Sequence, residues 1–243
     1  MDSAVSTAAR ALSVGDPLLA LKYVGLRSDP PALALRGIAL AQLGEWAKAL
    51  LLLRRAAKAF GDAEPLARAR ASLAAAEVAL ALRDLRGAGR GLDEAIQQLS
   101  RRGDVVNAAL ARLLQMRRLV LLGDVEAAEQ VRGKRRREQA PARLVAIAKL
   151  LEAEIASRRV HARAAERALI EAERAAKASH IPALPAETVA ARQRLTAPVA
   201  RLLERGEERL VALAELEQLL SSRQLVIDAC RRGSSSIFGS GMN

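Results

Sequence analysis

The chain has 243 residues, of which 39 are basic and 27 acidic, and its formal net charge is +12 at pH 7. Hydrophobic residues make up 51% of it, which is enough apolar material for a packed core and excludes wholesale disorder. Only 2% of the residues are aromatic and β-branched residues are also few, so the composition favours helices over a β-sandwich or a barrel.

The start of the chain and its one cysteine bear on localisation. The first residues, Met1 to Ala4, lack the basic and apolar regions of a signal peptide. Charged residues interrupt every long apolar stretch, so no segment reaches the roughly 20 apolar residues that a membrane helix needs. A single cysteine, Cys230, cannot form an internal disulfide. We therefore expect a cytoplasmic protein with no membrane partner.

The clearest predicted elements are two helices over 33–43 and 46–60, joined by a turn at Gly44-Glu45. The second helix is predicted to end at Gly61-Asp62, with Pro65 just beyond it. Helical periodicity continues through most of the chain, and the predicted helices come in pairs separated by short turns. The sequence therefore predicts a series of helical hairpins.

This pair of helices resembles a tetratricopeptide (TPR) repeat. Gly37, Gly44, Ala49 and Ala56 have the spacing of the small residues of that family, and Trp46 takes the aromatic position after the turn. Small side chains let two crossing helices approach closely, and an aromatic ring beside the turn fills the gap between them.

Weaker copies of the pattern occur before and after this pair, each with a short turn followed by a small residue. Their turns and small residues are Gly15-Asp16 with Ala20, Arg83-Asp84 with Ala88, Gly123 with Ala128, and Arg159-Val160-His161 with Ala164. The spacing between copies varies around the family period of about 34 residues, so a helical hairpin array of another kind stays open.

The predicted fold class is all-α, and the resemblance implies a TPR-like right-handed α-solenoid of about five hairpins over residues 1–180. Residues 186–232 are predicted to form C-terminal capping helices, near 187–205 and 208–222, because the last repeat of a solenoid needs a cover. Within this segment, the run 225–227 has strand character. Residues 233–243 have the composition of a flexible tail, which could be a cloning remnant.

No catalytic motif is found in the sequence. The two histidines, His161 and His180, lack the partners of a zinc-binding helix, and neither a nucleotide-binding loop nor a nucleophile elbow occurs. The glycine-rich run 87–91 looks like a phosphate loop, but its spacing is wrong and no strand precedes it, so we interpret it as a loosened helix start. We predict no enzyme, no metal site and no cofactor.

The TPR resemblance implies a groove lined by the first helix of each hairpin. Its polar candidates in this chain are Gln42, Arg70, Glu77, Arg117 and Lys149. Family members that clamp a peptide carboxylate use paired Lys and Asn residues, but Ala153 takes the Asn position here, so that clamp is not supported. A basic groove for an acidic or helical peptide is what the resemblance implies.

A second candidate surface is basic. Residues 101–137 contain ten basic and four acidic residues, and they end in the cluster Lys134, Arg135, Arg136 and Arg137. Arginine binds phosphate and carboxylate in a bidentate manner, so this cluster could bind DNA or an acidic partner. A solvated loop or helix end is the more common explanation of such a cluster, since charge runs are frequent on exposed surfaces.

We therefore expect a non-catalytic scaffold that binds a protein or peptide, and nucleic-acid binding by residues 101–137 is the alternative. Arrays rich in alanine and arginine resemble the helical regulatory portion of bacterial transcription regulators, in which a separate domain contacts DNA. Unpaired apolar helix faces would also allow a homodimer.

Overall fold

The computed structural model describes residues 2–131, 140–179, 181, 183–204 and 206–222, and the backbone of 226–228 and 236–238. The chain divides into two compact units, 1–138 and 139–243. Most of the described residues are helical, so the all-α prediction is confirmed at the level of fold class. The predicted domain limits at 180, 186 and 232 stay predictions.

The first unit consists of helices alone in its described part. They are α1 (Ser3–Ser13), α2 (Pro17–Val24), α3 (Pro30–Gln42), α4 (Trp46–Phe60), α5 (Pro65–Ala81), α6 (Leu85–Gly89), α7 (Leu92–Arg101), α8 (Val105–Leu122) and α9 (Val125–Val131). The predicted helices over 33–43 and 46–60 are confirmed as α3 and α4. The glycine-rich run that we interpreted as a helix start begins inside α6.

One type of corner recurs between these helices and again in the second unit. A residue in the left-handed region follows the end of one helix, and the next helix begins two residues later. The corner residues are Gly15, Gly44, Arg83, Gly103, Gly123 and Val160, with φ between +59° and +87°. In each corner the N–H of the next residue donates to the carbonyl five residues back, at 2.9–3.0 Å, which is the Schellman arrangement.

The residue after the corner immediately precedes the next helix, and Glu45 and His161 make no side-chain capping hydrogen bond there. In four corners it is an aspartate, whose side chain accepts a hydrogen bond from the backbone N–H three residues on, at 2.7–3.3 Å. Five residues after each corner residue lies a buried alanine, at most 2% exposed; these are Ala20, Ala49, Ala88, Ala108, Ala128 and Ala165. The predicted Ala164 is therefore off by one position, because Ala165 is fully buried whereas Ala164 is only half-buried.

Packing in the first unit runs mainly between helices that are neighbours in sequence. Helix α1 packs on α2 and α3, α3 on α4, α4 on α5, and α5 on α6, α7 and α8. The first helices of successive pairs also meet, α1 with α3, α3 with α5 and α5 with α8. Helix α5 is enclosed by its neighbours, and its exposed residues are Arg70, Glu77 and Ala81. Alanine dominates its buried positions, which allows this close packing.

The second unit begins with α10 (Ala142–Arg158), α11 (Ala162–Ala178) and α12 (Ala183–Thr196), which pack on one another. They are followed by β1 (Pro198–Glu204), β2 (Glu207–Ala212) and α13 (Leu213–Ser221). Strands β1 and β2 form an antiparallel hairpin that packs on α13, and Val211 is buried there.

This hairpin differs from the two long helices predicted near 187–205 and 208–222. Pro198 has no backbone N–H and ends the helical run just after α12. Gly206, with φ +88°, allows the tight connection between the strands. Helix α13 retains the second half of the second predicted helix.

Two short strands lie near the end of the chain, β3 (Val226–Asp228) and β4 (Ser236–Phe238), and they pair antiparallel. The strand character predicted at 225–227 is confirmed for residues 226 and 227, which lie in β3, and residue 225 lies outside the described residues. Within the tail predicted over 233–243, residues 236–238 are paired as β4, and its other residues lie outside the described ones, so the tail stays a prediction. Among the helices described, none is long and apolar enough to cross a membrane.

Candidate functional site

The predicted groove residue Arg70 is engaged in an ion pair. Its Nε donates to Oδ2 of Asp104 at 2.7 Å, which joins the middle of α5 to the capping residue of α8. The carboxylate of Asp104 also accepts hydrogen bonds from the backbone and side-chain N–H groups of Asn107. Its side chain is 10% exposed, against 55% for that of Arg70. Arg70 therefore holds two helices together as well as facing solvent.

Burial and hydrogen bonding act in opposite directions on Asp104. Burial raises its pKa, but the hydrogen bonds from Asn107 and Arg70 favour the carboxylate more strongly. The pKa of Asp104 consequently lies below its usual value, and the group is charged at neutral pH.

Lys149, on α10, is the predicted groove residue that is most enclosed. Its ammonium donates to Oε2 of Glu152 and forms an ion pair with Oε2 of Glu171 on α11, both at 2.8 Å. Burial lowers its pKa, but the two carboxylates outweigh that effect, and the pKa is raised. The side chain is 16% exposed. Lys149 thus serves as an ionic link between two helices of the second unit.

The other three groove candidates are exposed. Gln42 is the last residue of α3, Glu77 lies on α5, and Arg117 lies on α8. Glu77 and Arg117 each have an interaction within the chain. Arg70 and Glu77 are two helical turns apart and therefore lie on one face of α5. The structure thus places four of the five candidates in the first unit, and Lys149 in the second.

The glycine-rich run has a packing role. A Cβ on Gly87 would lie 2.6 Å from Nη2 of Arg54, and a Cβ on Gly89 would lie 2.6 Å from Cζ of Arg118. Arg54 also pairs with Asp84 at 3.1 Å, and Arg118 donates to the carbonyl of Leu85 at 2.7 Å. Two arginines, from α4 and α8, therefore lie against α6 where larger residues would collide with them.

The side of α4 that faces solvent is basic. This helix contains Lys48, Arg54, Arg55 and Lys58 and no acidic residue. All four are exposed, and Leu51 lies among them with 60% of its surface exposed. We refer to these five residues as the α4 basic face. This face was not predicted from the sequence, although a signal for it is present there: fifteen helical residues with four cations and no acid.

An open depression of about 380 Å³ adjoins this face. It is lined by Ala57 and Lys58 of α4, by Gly61 in the following turn, and by Arg68 of α5. Arg68 forms ion pairs with Asp62 and with Glu94, the latter at 3.2 Å. Of the two cations that line this depression, Lys58 is the one with no carboxylate partner among the described residues.

The predicted basic cluster Lys134, Arg135, Arg136 and Arg137 lies outside the described residues. Of the other arginines in 101–137, Arg112 donates to Ser100 Oγ at 3.0 Å, and Arg118 packs on α6 as above. Arg101 and Arg102 are exposed at the end of α7.

His161 takes the N-cap position before α11 without a side-chain capping hydrogen bond, and His180 lies outside the described residues. Within the described ranges, no group of three or more histidine, cysteine, aspartate or glutamate side chains is placed to hold a metal ion.

Comparisons with protein-family models, with curated proteins and with solved structures gave no match to this chain. What the chain does is therefore inferred from its own residues.

Proposed function

We propose that this protein is a non-catalytic scaffold whose helical hairpins, stacked as a TPR-like right-handed α-solenoid, bind a protein or peptide partner. The observation that carries the proposal is the recurring corner, with its left-handed residue and its buried alanine five positions later. It repeats with sequential packing of the helices, which is the arrangement expected of repeat proteins. Such arrays leave an extended surface for a partner.

The proposed contact surface is the exposed side of α5 that carries Arg70 and Glu77, and we refer to these two residues as the α5 line. Arg70 and Glu77 offer charges of both signs, and the remainder of this helix is packed against its neighbours. A rigid helix supported on several sides holds its exposed side chains in place, and this lowers the entropic cost of binding. Arg70 is further fixed by Asp104.

A narrower version makes the chain the regulatory, partner-binding portion of a bacterial transcription regulator acting in the cytoplasm. It depends on the family resemblance alone. A partner-binding solenoid without catalytic groups would suit such a regulatory role.

The test is capture of partners from a nuclease-treated cytoplasmic extract by the immobilised full-length chain at moderate salt. We expect a discrete set of retained proteins, which Glu77→Arg reduces by reversing one charge on the α5 line. Glu207→Arg, the same change at an exposed residue of β2, is the matched control and should retain them all. If no protein is retained above the level of an empty resin, the proposed function is wrong.

Nucleic-acid binding is the second candidate, supported by the excess of basic residues in 101–137. Binding driven by phosphate contacts should fall by orders of magnitude between about 50 and 200 mM salt. Reversal of Arg135, Arg136 and Arg137 to glutamate should abolish it. If DNA binding survives in that triple variant, the cluster is not its basis.

A further inference from the structure

The α4 basic face combines an apolar centre with surrounding cations. On a helical projection, Leu51 lies between Lys48 and Arg55 on one side and Arg54 and Lys58 on the other, because these positions are three, four and seven residues from it. The opposite side of α4 is buried against α3 and α5 through Leu50, Leu53 and their neighbours. The face is thus fixed in direction by the packing of the helix.

Two of the four cations are available for a partner. Lys48 pairs with Glu45 at 3.0 Å, and Arg54 pairs with Asp84 at 3.1 Å. Arg55 and Lys58 form no ion pair or hydrogen bond with any residue that the structure describes. They are one helical turn apart, so two anionic groups on one extended or helical segment can reach both.

The depression beside Lys58 extends this surface towards α5. Its lining combines the apolar Ala57 with the cations Lys58 and Arg68. Arg68 already forms ion pairs with the carboxylates of Asp62 and Glu94. An anion from a partner would therefore bind mainly at Lys58. A partner side chain entering the depression would therefore place its charge on the Lys58 side.

We propose that the α4 basic face binds an acidic peptide segment that carries one large apolar side chain among its carboxylates. Charge complementarity assigns the carboxylates to Arg55 and Lys58. The apolar side chain is assigned to Leu51, whose burial would remove exposed apolar surface from water. A phosphate backbone would satisfy the cations but would leave Leu51 without a partner, so a peptide is favoured over nucleic acid.

This inference takes from the proposed function only the class of partner, a protein or peptide. The surface that it assigns is a different one. The α4 basic face lies on the solvent side of α4, the second helix of the α3–α4 pair. The α5 line lies on a different helix. A chain could use either surface without the other.

The test measures the fluorescence anisotropy of labelled peptides titrated with the full-length chain. One probe is a short glutamate-rich peptide with a central leucine, and the second has serine in place of that leucine. We expect Arg55→Glu combined with Lys58→Glu to weaken the leucine probe by about tenfold or more. Leu51→Ser should weaken the leucine probe by a few-fold and leave the serine probe unchanged.

The matched control is Arg10→Glu combined with Lys22→Glu, which makes the same change of charge at two exposed residues of the first unit that lie outside both the α4 basic face and residues 101–137. It should bind both probes like the wild type. All variants alter exposed residues, and circular dichroism confirms that the helical content is kept before binding is measured.

Equal binding of the leucine probe by the wild type and by the Arg55/Lys58 variant would overturn the proposal. The proposal would also be overturned if the chain bound duplex DNA tightly, if the Arg55/Lys58 variant lost that DNA binding, and if Leu51→Ser did not change it. If the probes fail while Glu77→Arg still reduces capture from extract, the α4 basic face is not a site and the scaffold function stands. If the probes bind as expected but extract capture is insensitive to Glu77→Arg, the α5 line is wrong.

Discussion

A methyl group on Gly37 would collide with Leu53: the added Cβ would lie 2.6 Å from Leu53 Cγ and 3.2 Å from the carbonyl oxygen of Ala49. Leu53 is completely buried, so it has little room to move away. Helices α3 and α4 thus meet at closest approach where the sequence has a glycine. This is the physical reason for the small residue that the repeat pattern predicted there.

Gly37→Ala should destabilise the protein, although alanine is the better helix former. Overpacking a core lowers the free energy of unfolding by about 1–3 kcal/mol, and the better helix propensity of alanine raises it by about 1 kcal/mol. Because Leu53 Cγ rather than a flexible end is hit first, we expect a net loss of about 1–2 kcal/mol. Urea unfolding measures it.

The control for this prediction is the Leu53→Ala background. There the two closest obstructing atoms, both of the Leu53 side chain, are gone and only the looser contact with the Ala49 carbonyl is left, so Gly37→Ala should be neutral or stabilising. An equal loss in both backgrounds would show that the contact with Leu53 is not the cause.

Val160 lies just after the end of α10 and has φ +59°, a conformation that β-branched residues rarely adopt. Val160→Gly should therefore raise the free energy of unfolding by about 1 kcal/mol, since the relief of strain exceeds the added entropy of the unfolded chain. Thermal unfolding at a fixed protein concentration measures the change.

The reverse substitution at the equivalent corner is the control. Gly123 has φ +87°, and a Cβ there would meet no atom within 4 Å. Gly123→Val should thus lose stability through the backbone alone. A stabilising effect of Gly123→Val, or a destabilising effect of Val160→Gly, would contradict the role given to these corners.

Asp104 both caps α8 and pairs with Arg70, so its removal should be more costly than that of its partner. We expect Asp104→Ala to lower the free energy of unfolding by about 1–2 kcal/mol. Arg70→Ala leaves the cap intact and removes a half-exposed ion pair, so it should cost less than about 1 kcal/mol. Equal costs for the two variants would mean that the cap contributes little.

The lowered pKa of Asp104 also predicts a pH dependence. A carboxyl group whose pKa is lower in the folded state stabilises the fold above its unfolded pKa, and this stabilisation is lost as the pH falls through the folded pKa. The wild type should therefore lose stability as the pH falls below about 4, and Asp104→Ala should lose less over the same interval. Urea midpoints at a series of pH values measure this, and identical slopes would contradict it.

The sequence was most informative where chemistry is local. The turn at Gly44-Glu45, the limits of α4, and the corners at Arg83 and Val160 follow from residues that lie within one turn of each other. The corner at Gly103 was missed, although Asp104 and the buried Ala108 have the same spacing as in the other corners.

Interactions between distant residues were not predictable in the same way. The residues around Gly89 give no indication that the guanidinium of Arg118 packs against it. The residues around Lys149 likewise do not predict its ion pair with Glu171 on the next helix. The hairpin of β1 and β2 was missed because its leucines and arginines have good helix propensity, and only Pro198 and Gly206 decide against a helix.

The proposed scaffold function is tested most directly by extract capture on the full-length chain, performed at moderate salt with and without nuclease. We predict that the same discrete set of proteins is retained in both arms, because the partner is bound by helical surfaces and not through nucleic acid. Retention of nucleic acid alone, with every protein lost after nuclease treatment, would contradict this account and assign the function to the basic surface of residues 101–137.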